Sequence, residues 1–375
     1  MKITKLSLVA ALAVSSAFAG GDIAPVEPVV EAPAPVVEAA ACNAKTTIDG
    51  KAVAYYYTDD SVDLFDNQSS SLGLAATLNV KHNFTDNIAA NFTAVGFTNA
   101  ISDNYMDAKK TGAYFNVANI TASFGGTTFI LGRQVVATPM FGSYDWLLAP
   151  GAFESYVVAN NSIENLTLVG AYVTKWRPNN TGTEFLTLDG ENYALGAAYA
   201  NTNVINASLW YYNIEAYGAN KYTQFYVDAS KSLGAFNISG QYISTDYNLG
   251  QDSSTFGIKI GASLAGFDLS AAYNDVSDRA TGFVGNNGMY TAQWNSAASL
   301  DDVGSSWKVA ASTELSGISA SVSYADYETA GEEFDVILGY GLTNCISLDA
   351  IYANTKYTEE EDATSQLEFV ATYKF

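Results

Sequence analysis

The chain has 375 residues, of which 48% are hydrophobic and only 15% charged, with 25 Tyr and 19 Phe. Its 39 acids against 17 bases give a formal net charge of -22; this excludes nucleic acid as a partner, because phosphate binding needs clustered Lys and Arg. His82 is the one histidine, Cys42 and Cys345 are the two cysteines, and neither a metal-ligand pattern nor a Ser-His-carboxylate site can be built from them, so no enzyme is expected.

In chain order, the first element is a targeting signal. Lys2 and Lys5 form a basic start, Leu6 to Val14 is apolar but too short to span a bilayer, and Ala17-Phe18-Ala19 is a small-x-small cleavage site, so residues 1–19 are expected to leave. Residues 20–45 follow as a tether rich in Pro, Ala, Val and Glu; Pro25, Pro28, Pro33 and Pro35 disfavour helix and sheet and keep it extended.

Residues 46–375 read as strands throughout. No stretch approaches the ~20 apolar residues of a membrane helix, yet apolar residues recur with a period of two. Leu72, Leu74, Ala76, Leu78 and Val80 share one face. Phe334, Val336, Leu338, Tyr340 and Leu342 share another, with Asp335, Ile337, Gly339 and Gly341 opposite. At the chain's end Leu367, Phe369, Ala371, Tyr373 and Phe375 alternate with Glu368, Val370, Thr372 and Lys374. One apolar and one polar face is the pattern of a strand between lipid and lumen. The spans are 46–58, 70–83, 87–98, 113–124, 127–135, 154–160, 166–176, 192–200, 203–212, 222–231, 236–245, 254–263, 267–273, 306–314, 318–326, 334–342, 346–355 and 365–375. They make an all-β, antiparallel, up-and-down transmembrane barrel of 18 strands, with 16 as the runner-up count.

The connections alternate in length. Short links such as Gly125-Gly126, Leu264–Gly266 and Leu315–Gly317 alternate with long ones such as Val136–Phe153, Arg177–Glu191 and Asn274–Ser305. Short periplasmic turns and long outer loops produce that rhythm; a soluble β-sandwich has no reason for it. The acid clusters Asp59, Asp60, Asp63, Asp66 and Glu359, Glu360, Glu361, Asp362 then fall in outer loops, as solvated charge first and as a Ca²⁺ site second. The glycine- and asparagine-rich loop Asn274–Ser305 offers a surface for a host or phage. Cys345 falls in a periplasmic turn and Cys42 just before the first strand, about 10 Å away across two strand spacings, so a disulfide between them is expected.

One stretch carries a family resemblance. Thr127–Val135 reads T-T-F-I-L-G-R-Q-V, followed by Ala137-Thr138-Pro139, Asp145-Trp146, Pro150, Phe153-Glu154 and Ile163–Val173. This run resembles the Opr-type porins, in particular the major outer membrane porins of Campylobacter and its relatives, and the terminal strand ending in Phe375 resembles the assembly signature of bacterial outer-membrane barrels. The resemblance implies a homotrimer in the outer membrane of a Gram-negative bacterium, among lipid and lipopolysaccharide, passing ions and small hydrophilic solutes without a cofactor. It also implies that the third outer loop, Val136–Phe153, folds into the pore. Its prolines and glycines suit a compact fold, with Phe141, Tyr144, Trp146 and Phe153 packing on the wall. Asp145 and Glu154 would then lie at the constriction, with Arg133, Lys175 and Arg177 as a basic side opposite, and the acid excess favours cations. A substrate-specific channel and a surface adhesin are the alternatives.

Overall fold

The computed structural model describes residues 45–101, 111–143, 148–295, 304–328, 330–358 and 362–375. Eighteen strands run in chain order: β1 Lys45–Asp59, β2 Ser70–Asn83, β3 Ile88–Ile101, β4 Thr111–Phe124, β5 Thr127–Gln134, β6 Ala152–Ile163, β7 Leu166–Arg177, β8 Leu186–Asn201 and β9 Ile205–Ile214. They continue as β10 Tyr222–Leu233, β11 Phe236–Tyr247, β12 Ser253–Leu264, β13 Phe267–Ser277, β14 Gly304–Leu315, β15 Ile318–Asp326, β16 Glu332–Thr343, β17 Ile346–Lys356 and β18 Thr364–Lys374. Each pairs antiparallel with the next, and β1 closes on β18, with Lys51 opposite Lys374 and Asp59 opposite Gln366. Gly50 and Phe375 exchange both backbone hydrogen bonds, at 2.9 and 3.0 Å. Closure leaves no edge along the spanning length, which matters because an unpaired backbone group in lipid costs several kcal/mol.

The expected alternation fixes which face is which. On β12, Phe256, Ile258 and Ile260 are exposed on the outer wall while Thr255 and Gly257 are buried. On β16, Phe334 and Leu338 face out and Glu333, Asp335 and Ile337 face in. The short connections are tight turns. Ser316-Gly317 places both central residues at positive φ, 55° and 81°, the mirror-image turn whose twist matches antiparallel strands.

β1 reaches further into the periplasm than β18 does. Lys45 pairs with Asn83 of β2, six residues beyond the Lys51–Lys374 pair. Cys345, exposed in the β16–β17 turn, accepts a backbone bond from Lys374 at 2.8 Å, so it sits at that higher level. Cys42 lies outside the described residues. Six residues of strand are about 20 Å, while the three-residue step from Lys45 to Cys42 spans at most about 10 Å. A Cys42–Cys345 disulfide therefore requires the lowest pairs of β1 to open.

Candidate pore and its inward loops

The third outer loop, L3 (residues 135–151), leaves the wall where β5 ends after only eight residues. Thr138 donates from its backbone N–H and its hydroxyl to the Phe141 carbonyl, at 3.0 and 2.6 Å, which turns the chain inward. Met140 and Phe141 become buried; Phe141 stacks on Phe153 at 4.5 Å, and Phe153 on Trp176 at 6.0 Å. Leu148 and Ala149 bury against Tyr55, Val95, Phe97 and Tyr114 of β1, β3 and β4. Sequence reading expected this inward fold and the packing of Phe141 and Phe153; Tyr144, Asp145 and Trp146 lie outside the described residues.

Arg177 holds the return of L3. Its side chain is fully buried, and its guanidinium donates to the carbonyls of Ala149 (3.1 Å), Pro150 (2.8 Å), Pro178 (3.2 Å), Thr181 (2.7 Å) and Gly182 (2.7 Å). It also lies 3.8 Å from the centroid of Tyr114, whose hydroxyl donates to the Pro150 carbonyl at 2.8 Å. Expected as part of a basic pore side, Arg177 instead clamps the loop with donors that a carboxylate-lined pore would otherwise engage. Only a planar fork can meet several carbonyls in this way.

The described part of the seventh outer loop (L7, between β13 and β14), residues 278–295, also enters the barrel, whereas the sequence places the loop on the surface. Residues 284–288 meet L3: Gly142 donates to the Val284 carbonyl at 2.9 Å and Val284 to the Met140 carbonyl at 3.0 Å. Asn286 Nδ2 donates to the carbonyls of Thr138 (2.8 Å) and Pro139 (3.2 Å). Wall side chains hold the rest. Gln241 accepts from the Tyr290 N–H at 3.0 Å and donates to the Gly288 carbonyl at 2.9 Å, and Asn274 accepts from the Thr291 N–H at 3.1 Å. Lys308 Nζ donates to the Ala292 carbonyl at 2.7 Å. Tyr327 donates to the Thr291 carbonyl at 2.8 Å, and burial pushes its phenol well above the ordinary range, so it remains a neutral donor at physiological pH. Under these loops the inward polar row, including Asn192, Thr255, Asn274 and Thr355, is almost fully buried. The described parts of L3 and L7 thus cover the inner wall from β1 through β18 at its outer end.

The remaining expected site residues come together elsewhere. Arg133, Glu154 and Lys175 stand directly opposite one another on β5, β6 and β7. Glu154 lies 3.5 Å from Arg133 and 2.9 Å from Lys175. Their row, however, continues Leu131–Tyr156 and Phe129–Val158, all exposed on the outer wall. A register shift between Glu154 and Ser155 lets Thr174 bulge and brings Lys175 onto the same face. The triad is thus on the outside of the barrel, near the outer ends of its strands, where Arg133 also covers the Phe185 ring at 4.1 Å. Glu154→Gln with Lys175→Gln is expected to leave ion selectivity unchanged in a reversal-potential measurement; a shift toward anions would return the triad to the pore.

Charges that do face the lumen include Lys259 and Lys308, two strands apart in one row through Ala272, and Asp228, Glu333, Asp335 and Glu368. Asp335 and Glu368 were legible as inward positions from the alternation alone. Among the described residues no group of three or more His, Cys, Asp or Glu side chains is placed to hold a metal ion. In the first acid cluster, Asp59 accepts from the Ser61 N–H at 3.0 Å and Asp66 from the Gln68 N–H at 2.8 Å, so these carboxylates cap their own loop. Glu359, Glu360 and Glu361 lie outside the described residues.

A closed antiparallel barrel with an apolar outer wall, a polar inner wall and inward loops defines an outer membrane porin. The model of the outer membrane porins of the OprD family matches residues 90–366, well over half of the sequence, and the chain belongs to that family. It therefore resides in the outer membrane of a Gram-negative bacterium, and like the other members it is a channel and not an enzyme. The fold is similar to Pseudomonas aeruginosa OccD3 (OpdP), with TM-score 0.72 and 17% identity over 88% of this chain and 91% of that one. P. aeruginosa OpdK, solved with vanillate, gives 0.73 and 15% over 89% and 98%. Acinetobacter baumannii OccAB4 gives 0.72 and 14% over 88% and 98%. No curated protein matches the sequence significantly.

Proposed function

We propose that this porin is a narrow channel for passive diffusion of ions and small hydrophilic solutes, with a preference for cations. The observation that carries the reading is the meeting of L3 and L7 across the lumen, joined at Gly142 and Val284. Solutes pass only where these loops leave room, so size is the first filter. Charge acts mainly above the constriction. On the inner wall Lys51, Lys81, Lys259, Lys308 and Lys374 face Asp49, Asp228, Asp268, Glu314, Glu333, Asp335, Asp349 and Glu368, an acid excess of only three, whereas the whole chain carries -22. The excess acid thus sits largely in the loops and rim around the outer mouth, where it concentrates cations. Such a field is screened over ~10 Å at 0.1 M salt and ~3 Å at 1 M. Reversal potentials across a KCl gradient should show cation preference at low mean salt that fades at high mean salt. Anion preference, or a preference indifferent to salt, would overturn the reading.

A substrate-specific channel is the second reading. The Lys259–Lys308 row favours it, because cations about 10 Å apart can hand on a small carboxylate; Lys259→Gln should then slow uptake of an aromatic carboxylate such as vanillate into proteoliposomes and leave neutral sugars unaffected. Homotrimer assembly rests on the Campylobacter-like run Thr127–Lys175, and light scattering of detergent-extracted protein tests it. Residues 1–19 as a cleaved signal and 20–45 as a periplasmic tether complete the reading.

A further inference from the structure

Three carboxylates buried on the inner wall have no counterpart in the passive wall of a pore. Glu333 is fully buried, Asp335 is 2% and Glu368 4% exposed. All three turn their oxygens on one short piece of L7. Glu333 Oε1 accepts from the Asn295 N–H at 2.7 Å, Asp335 Oδ2 from the Trp294 N–H at 3.1 Å, and Glu368 Oε1 from the Trp294 indole Nε1 at 2.9 Å. Glu368 is held in turn by Gln366 Nε2 at 2.8 Å and by the Tyr55 hydroxyl. Three residues earlier on the same loop, the Lys308 ammonium takes the Ala292 carbonyl. The wall therefore grips residues 292–295 with anions on their N–H groups and a cation on a carbonyl.

This arrangement differs in kind from the seat of L3. Burying three carboxylates is costly, and two amide N–H groups would be satisfied by neutral Ser or Asn side chains at less cost. Hydrogen bonds to an ionised acceptor are roughly twice as strong as neutral ones, so the charge makes the grip firm. The seat is otherwise imperfect: Asn287 Nδ2 on L7 is buried without a hydrogen-bond partner. Such an orphaned atom regains a partner when water enters, which lowers the cost of lifting the loop.

We propose that Glu333, Asp335 and Glu368 are positioning residues that latch L7 into the lumen, so that this carboxylate cluster sets how often the channel is fully open. The proposal rests on the channel reading above. In it L3 is the fixed constriction, clamped by Arg177, and L7 is the movable one. Loss of two charge-assisted bonds shifts the ratio of latched to released loop on the order of tenfold per bond.

The test uses the full chain with Cys42→Ser and Cys345→Ser, recorded as single channels in planar bilayers. Glu333→Ala with Asp335→Ala is expected to add frequent transitions to a larger conductance level. Asn295 Nδ2 donates to Thr355 Oγ1 at 2.6 Å, so Asn295→Cys with Thr355→Cys places two thiols side by side across the latch. Added to the latch variant, this pair should restore wild-type steps when oxidised and release the larger level when dithiothreitol is added to the same bilayer. A barrel merely damaged by the alanines would not respond to the reductant. Wild-type steps in the alanine variant, with the barrel still folded, overturn the latch alone. Silence of the wild type and of every variant removes the channel reading and the latch with it.

Discussion

Arg177→Met frees L3 and raises the single-channel conductance. The guanidinium is the shared partner of five carbonyls, from Ala149 and Pro150 on L3 and from Pro178, Thr181 and Gly182 beyond β7. Methionine fills the space over Tyr114 and leaves the Thr181 and Gly182 carbonyls without a donor, while the Ala149, Pro150 and Pro178 carbonyls keep those of the Asn180 N–H, the Tyr114 hydroxyl and the Thr181 hydroxyl. At about 1–3 kcal/mol for each of these two unsatisfied groups, the loss is on the order of 3 kcal/mol. The barrel wall does not depend on these bonds, so the protein still inserts while L3 detaches at its return end. Arg177→Lys recovers little, because a point charge on a flexible stem cannot replace a planar fork. Bilayer recordings check the conductance, and thermal unfolding of the detergent-extracted protein checks the stability. A variant with wild-type steps would show that L3 is held by its aromatic stack alone.

Gly285→Val is expected to part L7 from L3. Gly285 sits at φ 72°, and a Cβ there would lie 2.2 Å from the Gly142 carbonyl oxygen. A β-branched residue in this left-handed region costs about 2 kcal/mol before the clash is counted. The clash falls beside the Gly142–Val284 and Val284–Met140 bonds, so the chain can relieve it only by breaking them. Flickering conductance is the expected signature, with unchanged folding of the wall. Gly218→Val is the control: Gly218 also has positive φ, 59°, but stands in open space in the β9–β10 connection. Strain without a clash there should leave the recordings as in the wild type. Equal behaviour of the two variants would mean that the loop pairing does not shape the pore.

The wall of this porin was largely legible from alternation, because lipid on one side and water on the other impose a period of two on every strand. Each of the eighteen spans read from the periodicity overlaps one strand of the barrel. The misses fall where the period breaks. β8 starts at Leu186 rather than near 192 because Gly190, at φ 70°, kinks a strand whose pattern resumes only beyond it. β6 extends to Ile163 past an irregularity at Asn160. For the pore residues, parity decides the face and charge type does not. Arg133 follows Phe129 and Leu131 by steps of two, which already puts it outside, and the same rule already put Asp335 and Glu368 inside.

L7 was not legible, for a different physical reason. Its Asn286, Asn287 and Gln293 look like solvated loop residues, and only their partners tell otherwise. Those partners are far along the chain: Asn286 bonds Thr138 across 148 residues, and Trp294 bonds Glu368 across 74. A polar loop folded into a polar lumen has the same composition as one in water. L3 could be read because its resemblance to known porins and its run of aromatics marked it; L7 carries no such mark.

The size of the wild-type single-channel conductance tests the account most directly. With L3 and L7 joined across the lumen, purified protein in a planar bilayer should show small steps, well below those of the same barrel with residues 281–293 replaced by a short glycine-serine link. Large ohmic steps in the wild type, equal to those of the shortened variant, would contradict it.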